Sequence, residues 1–544
     1  MNTLQGMRNY VTGDLVTVGG WFAVNKLTEN QENTKEWSQR AYLNYNETFG
    51  KHVVEGTVGY EGISNKYNWV EGYRQNFFNN DLRDLSSGAS AAQSTGGRRS
   101  EWGLQSFFGR VNYSFDDKYL FQANVRYDGS SRFADGKRWG FFPSFSAGWR
   151  ISQEGFLLDN EAITNLRLRA SWGQLGNQDI GLYRFLNTYN LGQSYAFNGS
   201  VVSGAAVTTA GNPDITWETT TMTNIGFDLG LFDRMEIIAE YYWNLTTDIL
   251  LGLPIAPTTG VEAPTQNAAS VSNNGYEISV KYYSPRRNDG GFQYTLGLNF
   301  SDVKNKIEDL KGTGPYFPDK FTVWQEGYSM TSLRGLKSPG LYSEADFDKY
   351  PAKLVPQVTT GDIIYEDLNG DGTISQAMYP DGDQYIMGDE DPHYEFGINA
   401  TASYKSFDLS MFFQGVLQKW HTLDGALMEG PNWGNFIPAI MARETWHPTR
   451  NPNGTWPLVT YGNSWNLQEC DFWLQDSKYV RLKNIQLGYT FKPSKYISNI
   501  RVYVSGENLL TLTPTKLFDP ETPRGRSQFF PHHKVMSAGV NITF

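Results

Sequence analysis

The stretch EDLNGDGTIS places Asp367, Asn369 and Asp371 at alternate positions, with Gly370 and Gly372 interleaved. Three side-chain oxygens at that spacing, with glycine allowing a sharp bend, make the first half of a loop that wraps a hard cation. Thr373 would add its backbone carbonyl, and Ser375 would act directly or through water. The twelfth position, where a calcium loop needs a bidentate Glu, is Met378. The loop is therefore incomplete as it stands, and the same residues without a cation make a run of Asx turns. The expected role is a structural Ca2+ clip rather than a catalyst.

A second chemistry comes from aromatics in the polar connections: Trp324, Trp420, Trp433, Phe436, Trp446, Trp465 and Trp473. Such rings stack on sugar faces, grip peptide side chains, or pack against another protein. Trp433, Trp446 and Trp465 are the substrate-binding candidates, weighed against plain packing within the loops. Catalysis finds no support. His532–His533 is the only close histidine pair, adjacent residues on a strand point oppositely, and no Ser/His/Asp constellation follows from the spacing. The chain does not read as an enzyme.

These residues must be held by strands. In SFFGRVNYSF, Phe107, Gly109, Val111, Tyr113 and Phe115 share one face while Arg110, Asn112 and Ser114 take the other. After the tight turn DDK, YLFQANVRYD repeats the scheme, so the two form a hairpin. The alternation recurs at 142–151, 166–173, 223–232, 235–244, 275–283, 292–301, 394–404, 407–415, 479–489 and 501–508. It closes the chain at Met536, Ala538, Val540, Ile542 and Phe544. With weaker candidates near 14–25, 38–47 and 51–62, about sixteen strands are expected.

The polar faces carry Arg110, Arg126, Arg167, Arg169, Glu236, Glu240 and Arg481, too many charges for a packed sandwich interior. Water on the polar side and lipid on the apolar side fit a transmembrane antiparallel β-barrel. Connection lengths agree. Counted back from the C-terminus they alternate short and long, as periplasmic turns and outer loops do. Long extracellular loops are expected near 174–221, 246–274, 304–393, 418–477 and 509–535. Phe544 then lies at the periplasmic rim, where an interfacial aromatic can end the strand.

Composition removes competing classes. Asp plus Glu outnumber Lys plus Arg, 57 to 46, for a net charge of -11, which argues against nucleic acid as a partner. One cysteine, Cys470, excludes an internal disulfide framework. No run approaches the apolar length of a membrane helix, and mean hydropathy is -0.49. The N-terminus MNTLQGMRNYVTGD shows no signal-peptide pattern.

FFGRVNYSFDDKYLFQANVRYDGSSRFADGKRWGFFPSFSAGWRIS resembles the SusC/RagA family of TonB-dependent outer-membrane transporters of Bacteroidetes. LRLRASWGQLGNQ, WETTTMTNIGFDLGLF, SVSNNGYEISV, GDIIYEDLNGDGTI, YVRLKNIQLGY, VSGENLLTLT with FDPE, and AGVNITF add to the resemblance, which runs from about residue 38 to the end. It implies a 22-strand barrel, an N-terminal plug, a TonB-contacting box, and a SusD-like lipoprotein closing the outer mouth. Plug and box are not seen here. The expectation is the C-terminal part of a larger transporter, all-β, supplying about sixteen of those strands over residues 1–544. The family often places an acidic residue shortly after the DLNGDG motif. Here DGDQYIMG makes Asp383, ahead of Asp381, that candidate, giving Asp367, Asn369, Asp371, Thr373 and Asp383 as the Ca2+ set.

The implied function is TonB-dependent nutrient import at the outer membrane of a Gram-negative bacterium. The implied partners are a SusD-like surface lipoprotein, TonB–ExbB–ExbD acting through the missing N-terminal part, outer-membrane lipid, and an oligosaccharide or peptide ligand. A passive porin and a soluble glycan-binding β-protein are the competing readings.

Overall fold

A computed structural model describes residues 7–8, 15–16 and 25–544, apart from 80, 82, 254, 286–289, 351–357, 431–438, 460–463, 492–496, 524–529 and 531. The chain builds one 15-stranded sheet in which each strand pairs with its neighbour in sequence. The strands are β1 (Lys26–Phe49), β2 (His52–Gln75), β3 (Gln93–Phe115), β4 (Tyr119–Ser130), β5 (Trp139–Arg150), β6 (Ile163–Asn177), β7 (Glu218–Leu231) and β8 (Met235–Gly252). They continue as β9 (Thr265–Tyr283), β10 (Gln293–Asp309), β11 (His393–Tyr404), β12 (Phe407–Gln418), β13 (Tyr479–Phe491), β14 (Asn499–Leu512) and β15 (Val535–Thr543). All the pairings are antiparallel, which makes this the up-and-down wall of a barrel.

One end of the wall is closed by tight turns. Asp116 and Asp117 between β3 and β4, and Phe232 and Asp233 between β7 and β8, adopt positive φ of 52–56°. That left-handed geometry matches the twist of the flanking strands. The other end carries the long connections. β1 and β2 are 24 residues each and β3 is 23, well past what a bilayer requires, so they project outward as a ribbon.

The outward face is apolar and remains exposed. Phe107, Val111, Phe121, Val125 and Phe544 are all open, while Tyr113 is half-buried. Two rows of aromatics cross this face. The lower row runs through Phe115, Tyr119 and Trp149, which are cross-strand partners with ring centroids 6.3 and 6.4 Å apart. It recurs at Phe407, Tyr489 and Phe491, 4.7 and 4.6 Å apart. The upper row joins Tyr60, Phe107, Tyr127 and Trp139. From Tyr119 to Tyr127 is about the 9–11 residues a tilted strand needs to cross a bilayer. The rows are the two interfacial girdles of a membrane barrel.

The expected count of sixteen becomes fifteen in the wall. Of the candidate near 14–25, Leu15–Val16 pairs with Met7–Arg8 apart from the main sheet, and residues 17–24 lie outside the described residues. The outer loops also start later than alternation suggests, because β8 runs on to Gly252 and β9 begins at Thr265. Between β6 and β7 an unforeseen hairpin, Thr188–Phe197 with Ser200–Thr209, stands largely exposed.

Above the wall the two longest loops fold together. Ser332–Leu336 pairs with Gln384–Asp389, and Trp420–Thr422 pairs with Leu474–Asp476. The two loops meet where the Leu336 N–H donates to the Glu469 carbonyl at 2.7 Å. Their shared core contains Phe321, Leu336, Ile363, Tyr365, Trp465 and Trp473. The loops between β10 and β11 and between β12 and β13 are thus one cap with an ordinary hydrophobic interior.

Candidate functional site

Polar side chains of the wall collect on the inner face, and three of the groups among the described residues are built on arginine–carboxylate pairs. Glu61 accepts from Arg40 and from Arg126 at 3.2 Å, and Arg126 also bonds Ser106 at 2.8 Å and Asp128 at 2.9 Å. Asp228 accepts from Arg167 at 2.6 Å and Arg169 at 3.1 Å, and Arg169 reaches on to Glu240. Arg501 bonds Asp408 at 2.9 Å and Gln486 at 3.0 Å. Glycine makes room for the last pair: a Cβ on Gly488 would fall 2.5 Å from an Asp408 carboxylate oxygen and 2.6 Å from the Arg501 guanidinium. Alternation dictates this ladder, since every second side chain must face away from lipid.

The connection between β14 and β15 returns to the same face. Arg481, only 2% exposed, donates to Asp519 at 2.8 Å and to Glu521. Lys483 reaches Glu521 at 2.6 Å, and the Tyr479 hydroxyl bonds Glu521 at 3.1 Å. Lys419 donates to the Pro520 carbonyl at 2.8 Å, and the Phe518 ring lies 4.4 Å from His421. Burial and the Arg481 guanidinium act in opposite directions on Asp519, and the net effect holds its carboxyl below the usual range. Residues 517–521 are therefore a strap clipped inside the wall beneath the cap. Asp519, Glu521 and His532 are the one acidic–histidine trio whose ligand atoms converge among the described residues, but Arg481 and Lys483 already neutralise the carboxylates. Alternation placed Arg481 on the inner face; the strap that meets it has no periodicity to announce it.

The cation loop keeps its Asx turns. Asp367 accepts from the Gly370 and Gly372 N–H groups at 2.7 and 2.8 Å. Asn369 Oδ1 accepts from Asp371 N–H at 3.1 Å, and Asp371 Oδ1 accepts from Thr373 N–H at 2.8 Å and its hydroxyl at 2.6 Å. The Thr373 bonds are the first cause holding the Asp371 carboxyl below its ordinary range. Asp383 is fully buried and ties the loop's two sides, accepting from Leu368 N–H at 2.7 Å and Ser375 N–H at 2.6 Å. Gly370 and Gly372 take positive φ of 76° and 82°, as the bend requires. The carboxylates of Asp367, Asp371 and Asp383 do not converge on one point in this conformation. Two features fit a cation: among the described residues no basic side chain pairs with any of the three, and the buried Ser375 hydroxyl has no hydrogen-bond partner.

The three substrate-binding tryptophans separate. Trp433 lies outside the described residues. Trp446 is half-buried, packed so closely over Gly361 that a Cβ there would fall 2.2 Å from its ring. Trp465 is a correction: it is completely buried, its Nε1–H donates to Ile363 O at 2.7 Å, and its carbonyl accepts the Tyr365 hydroxyl at 2.6 Å. It is cap core, out of reach of any ligand. Residue type marked it as an aromatic in a loop, and nothing local in the sequence says that two loops bury it together.

The model of the family described as "TonB dependent receptor-like, beta-barrel" matches residues 3–509. The chain is 32% identical to TonB-dependent receptor P3 of Formosa agariphila over 95% of this chain and 53% of that protein. It is 28% identical to TonB-dependent receptor SusC of Bacteroides thetaiotaomicron over 93% of this chain and 50% of that protein. Among solved structures, the RagAB peptide transporter superposes with a TM-score of 0.77 at 24% identity, covering 96% of this chain and 57% of that chain. The chain spans about half the length of the relatives it matches.

Proposed function

From a chain that belongs to the TonB-dependent receptor β-barrel family, we propose the wall and outer cap of an outer-membrane importer that takes up oligosaccharides or peptides in a TonB-dependent way. The structural observation that fits this reading is the strap of residues 517–521, clipped by Arg481 to the charge-lined inner face under a folded cap. Passive pores also fold constriction loops onto their inner walls, so it is the family match over residues 3–509 that favours an importer over a pore for free diffusion. A polar ligand entering at the cap would meet Arg, Asp and Glu side chains able to replace its hydration.

The partners proposed are a SusD-like lipoprotein on the cap side and TonB–ExbB–ExbD acting through the part of a complete transporter that these residues do not supply. RagAB, whose fold this chain shares, is a peptide transporter and SusC is a TonB-dependent receptor; both ligand classes stay within the proposal. Asp367, Asn369, Asp371 and Thr373 are proposed to hold Ca2+, with Asp383 as the fifth group. The ion would supply positive charge to a carboxylate cluster that lacks it and stiffen the cap.

The test is uptake of labelled oligosaccharides and of labelled peptides by cells carrying the complete transporter, with and without TonB, and by cells carrying residues 1–544 alone. TonB-dependent uptake by the complete transporter of one ligand class, and none by 1–544 alone, is expected. TonB-dependent uptake by 1–544 alone would refute the proposal that these residues are only the wall and cap.

A further inference from the structure

The outer ends of β1, β2 and β3 carry a basic cluster on the lipid-side face that import leaves unused. Ala41, Tyr60 and Phe107 are cross-strand partners on the outward face, in the upper aromatic row. The pairing of these strands has no bulge, so stepping outward two residues at a time stays on that face. The steps reach Trp37 with Ser64 and Gly103, then Lys35 with Lys66 and Glu101, then Asn33 with Asn68 and Arg99. Trp37 is 72% exposed, an aromatic lying directly below two lysines.

Lys66 pairs with Glu101 at 3.2 Å, and Arg99 Nε donates to Asn68 Oδ1 at 3.0 Å. Among the described residues neither Lys35 nor Arg99 has a carboxylate partner, so the cluster carries an excess of positive charge in a chain that is acidic overall. These groups line a cavity of about 740 Å3 together with Gln31 and Asn33. Tyr67, Ser100 and Tyr183 complete the lining of this open pocket, the Tyr183 hydroxyl accepting from the Glu101 N–H at 3.0 Å.

Height selects the occupant. Lys35 lies six residues beyond Ala41, about 20 Å along the strand, or roughly 14 Å above the upper girdle at a 45° tilt. That is above the hydrocarbon and at the level of a lipid headgroup built of sugars. We propose that Lys35, Lys66 and Arg99 bind a phosphate group on the saccharide headgroup of an outer-leaflet lipid, with Trp37 lying against the sugars. Arg99 offers the fork that suits phosphate oxygens, and the lysines supply compact charge. The site rests on the outer-membrane orientation of the family reading and on nothing in the import mechanism.

The test purifies the full chain from the outer membrane of a Gram-negative host in mild detergent and measures bound phosphorylated glycolipid by mass spectrometry. The variant Lys35→Gln/Lys66→Gln/Arg99→Gln is compared with Arg98→Gln, which sits on the opposite face of β3. The triple variant is expected to retain lipid roughly 100-fold more weakly, Arg98→Gln to retain it as the unaltered chain does, and dephosphorylated lipid to be lost from both. Undiminished lipid in the triple variant, equal loss in Arg98→Gln, or displacement by millimolar inorganic phosphate would each overturn the proposal. Heat-dependent electrophoretic mobility reads membrane assembly separately. Assembled protein without lipid sinks the site alone, and unassembled protein sinks the orientation and the site with it.

Discussion

The wall and the cap obey opposite rules with the same residue types. In the wall, Val125 is 41% exposed and Phe544 85%, while Arg126 is drawn inward into hydrogen bonds with Glu61 and Ser106. In the cap, Trp465 and Trp473 are completely buried against protein. The difference teaches that burial against protein is only one way to remove an apolar group from water; lipid does the same for the wall, so its greasy face needs no protein partner. A calculation of exposure alone would call the wall inside-out.

The largest effect that would break the comparison is in the cap. Trp465→Ala removes a fully buried ring and its Nε1–H bond to the Ile363 carbonyl, and is expected to cost about 3–5 kcal/mol. Limited proteolysis should cut the cap between the strands while the wall keeps its heat-dependent mobility. Loss of both together would mean that cap and wall fold as one unit.

Next comes the wall. Val125→Arg puts a charge on the lipid face and is expected to cost roughly 2–4 kcal/mol, enough to impair assembly. Gln122→Arg, on the inner face beside Asn124, should be mild. Equal tolerance of both would reverse the facing.

Alkaline pH should again separate the regions. Burial is the first cause that raises the Tyr342 phenol to about 12, with Asp346 and Asp362 adding to it, and burial also raises the Tyr365 phenol well above its ordinary value. A phenol raised in the folded state stabilises it fully below the unfolded value near 10 and loses that contribution as pH climbs toward 12. The cap should therefore loosen between pH 10 and 12 by about 2 kcal/mol from Tyr342 alone. Hydrogen exchange in residues 359–366 would show it, and a cap whose protection is flat across that window would contradict the assignment.

The smallest effect expected is calcium. At tenfold excess over its dissociation constant the ion would stabilise the cap by about 1.4 kcal/mol. Asp367→Ala should abolish the gain, while Asp383→Ala should both abolish it and loosen the cap without calcium, since Asp383 also ties Leu368 to Ser375. No calcium-dependent change in cap protection would leave the Asx turns as the whole account of the motif.

How much was legible follows the same division. Strict alternation made the membrane part of the wall readable, because lipid on one side and water on the other impose period two on each strand. β1 was the hardest, since its outer half, KLTENQENTKEW, is polar on both faces once it leaves the bilayer. The hairpin at 188–209 escaped for a related reason: with both faces in water it has no reason to alternate. The cap was legible only as composition. Its core joins residues 100 positions apart, as when Tyr365 donates to the Trp465 carbonyl, and no local pattern records such a contact. The DLNGDG loop lies between these cases: its turns follow from Asp, Asn and Gly, while Asp383 was reached through a family habit rather than through spacing.

One face of the wall lies against lipid and the other against water. Cys470, the only cysteine, is completely buried, and burial pushes its thiol far above the ordinary range, so it will not compete for a label. Val125→Cys and Gln122→Cys can each carry one fluorophore in the membrane-assembled chain. A lipid-soluble quencher should darken the label at 125 and spare 122, while a water-soluble quencher does the reverse. The opposite pattern, or equal quenching of both positions by the water-soluble agent, would contradict that arrangement.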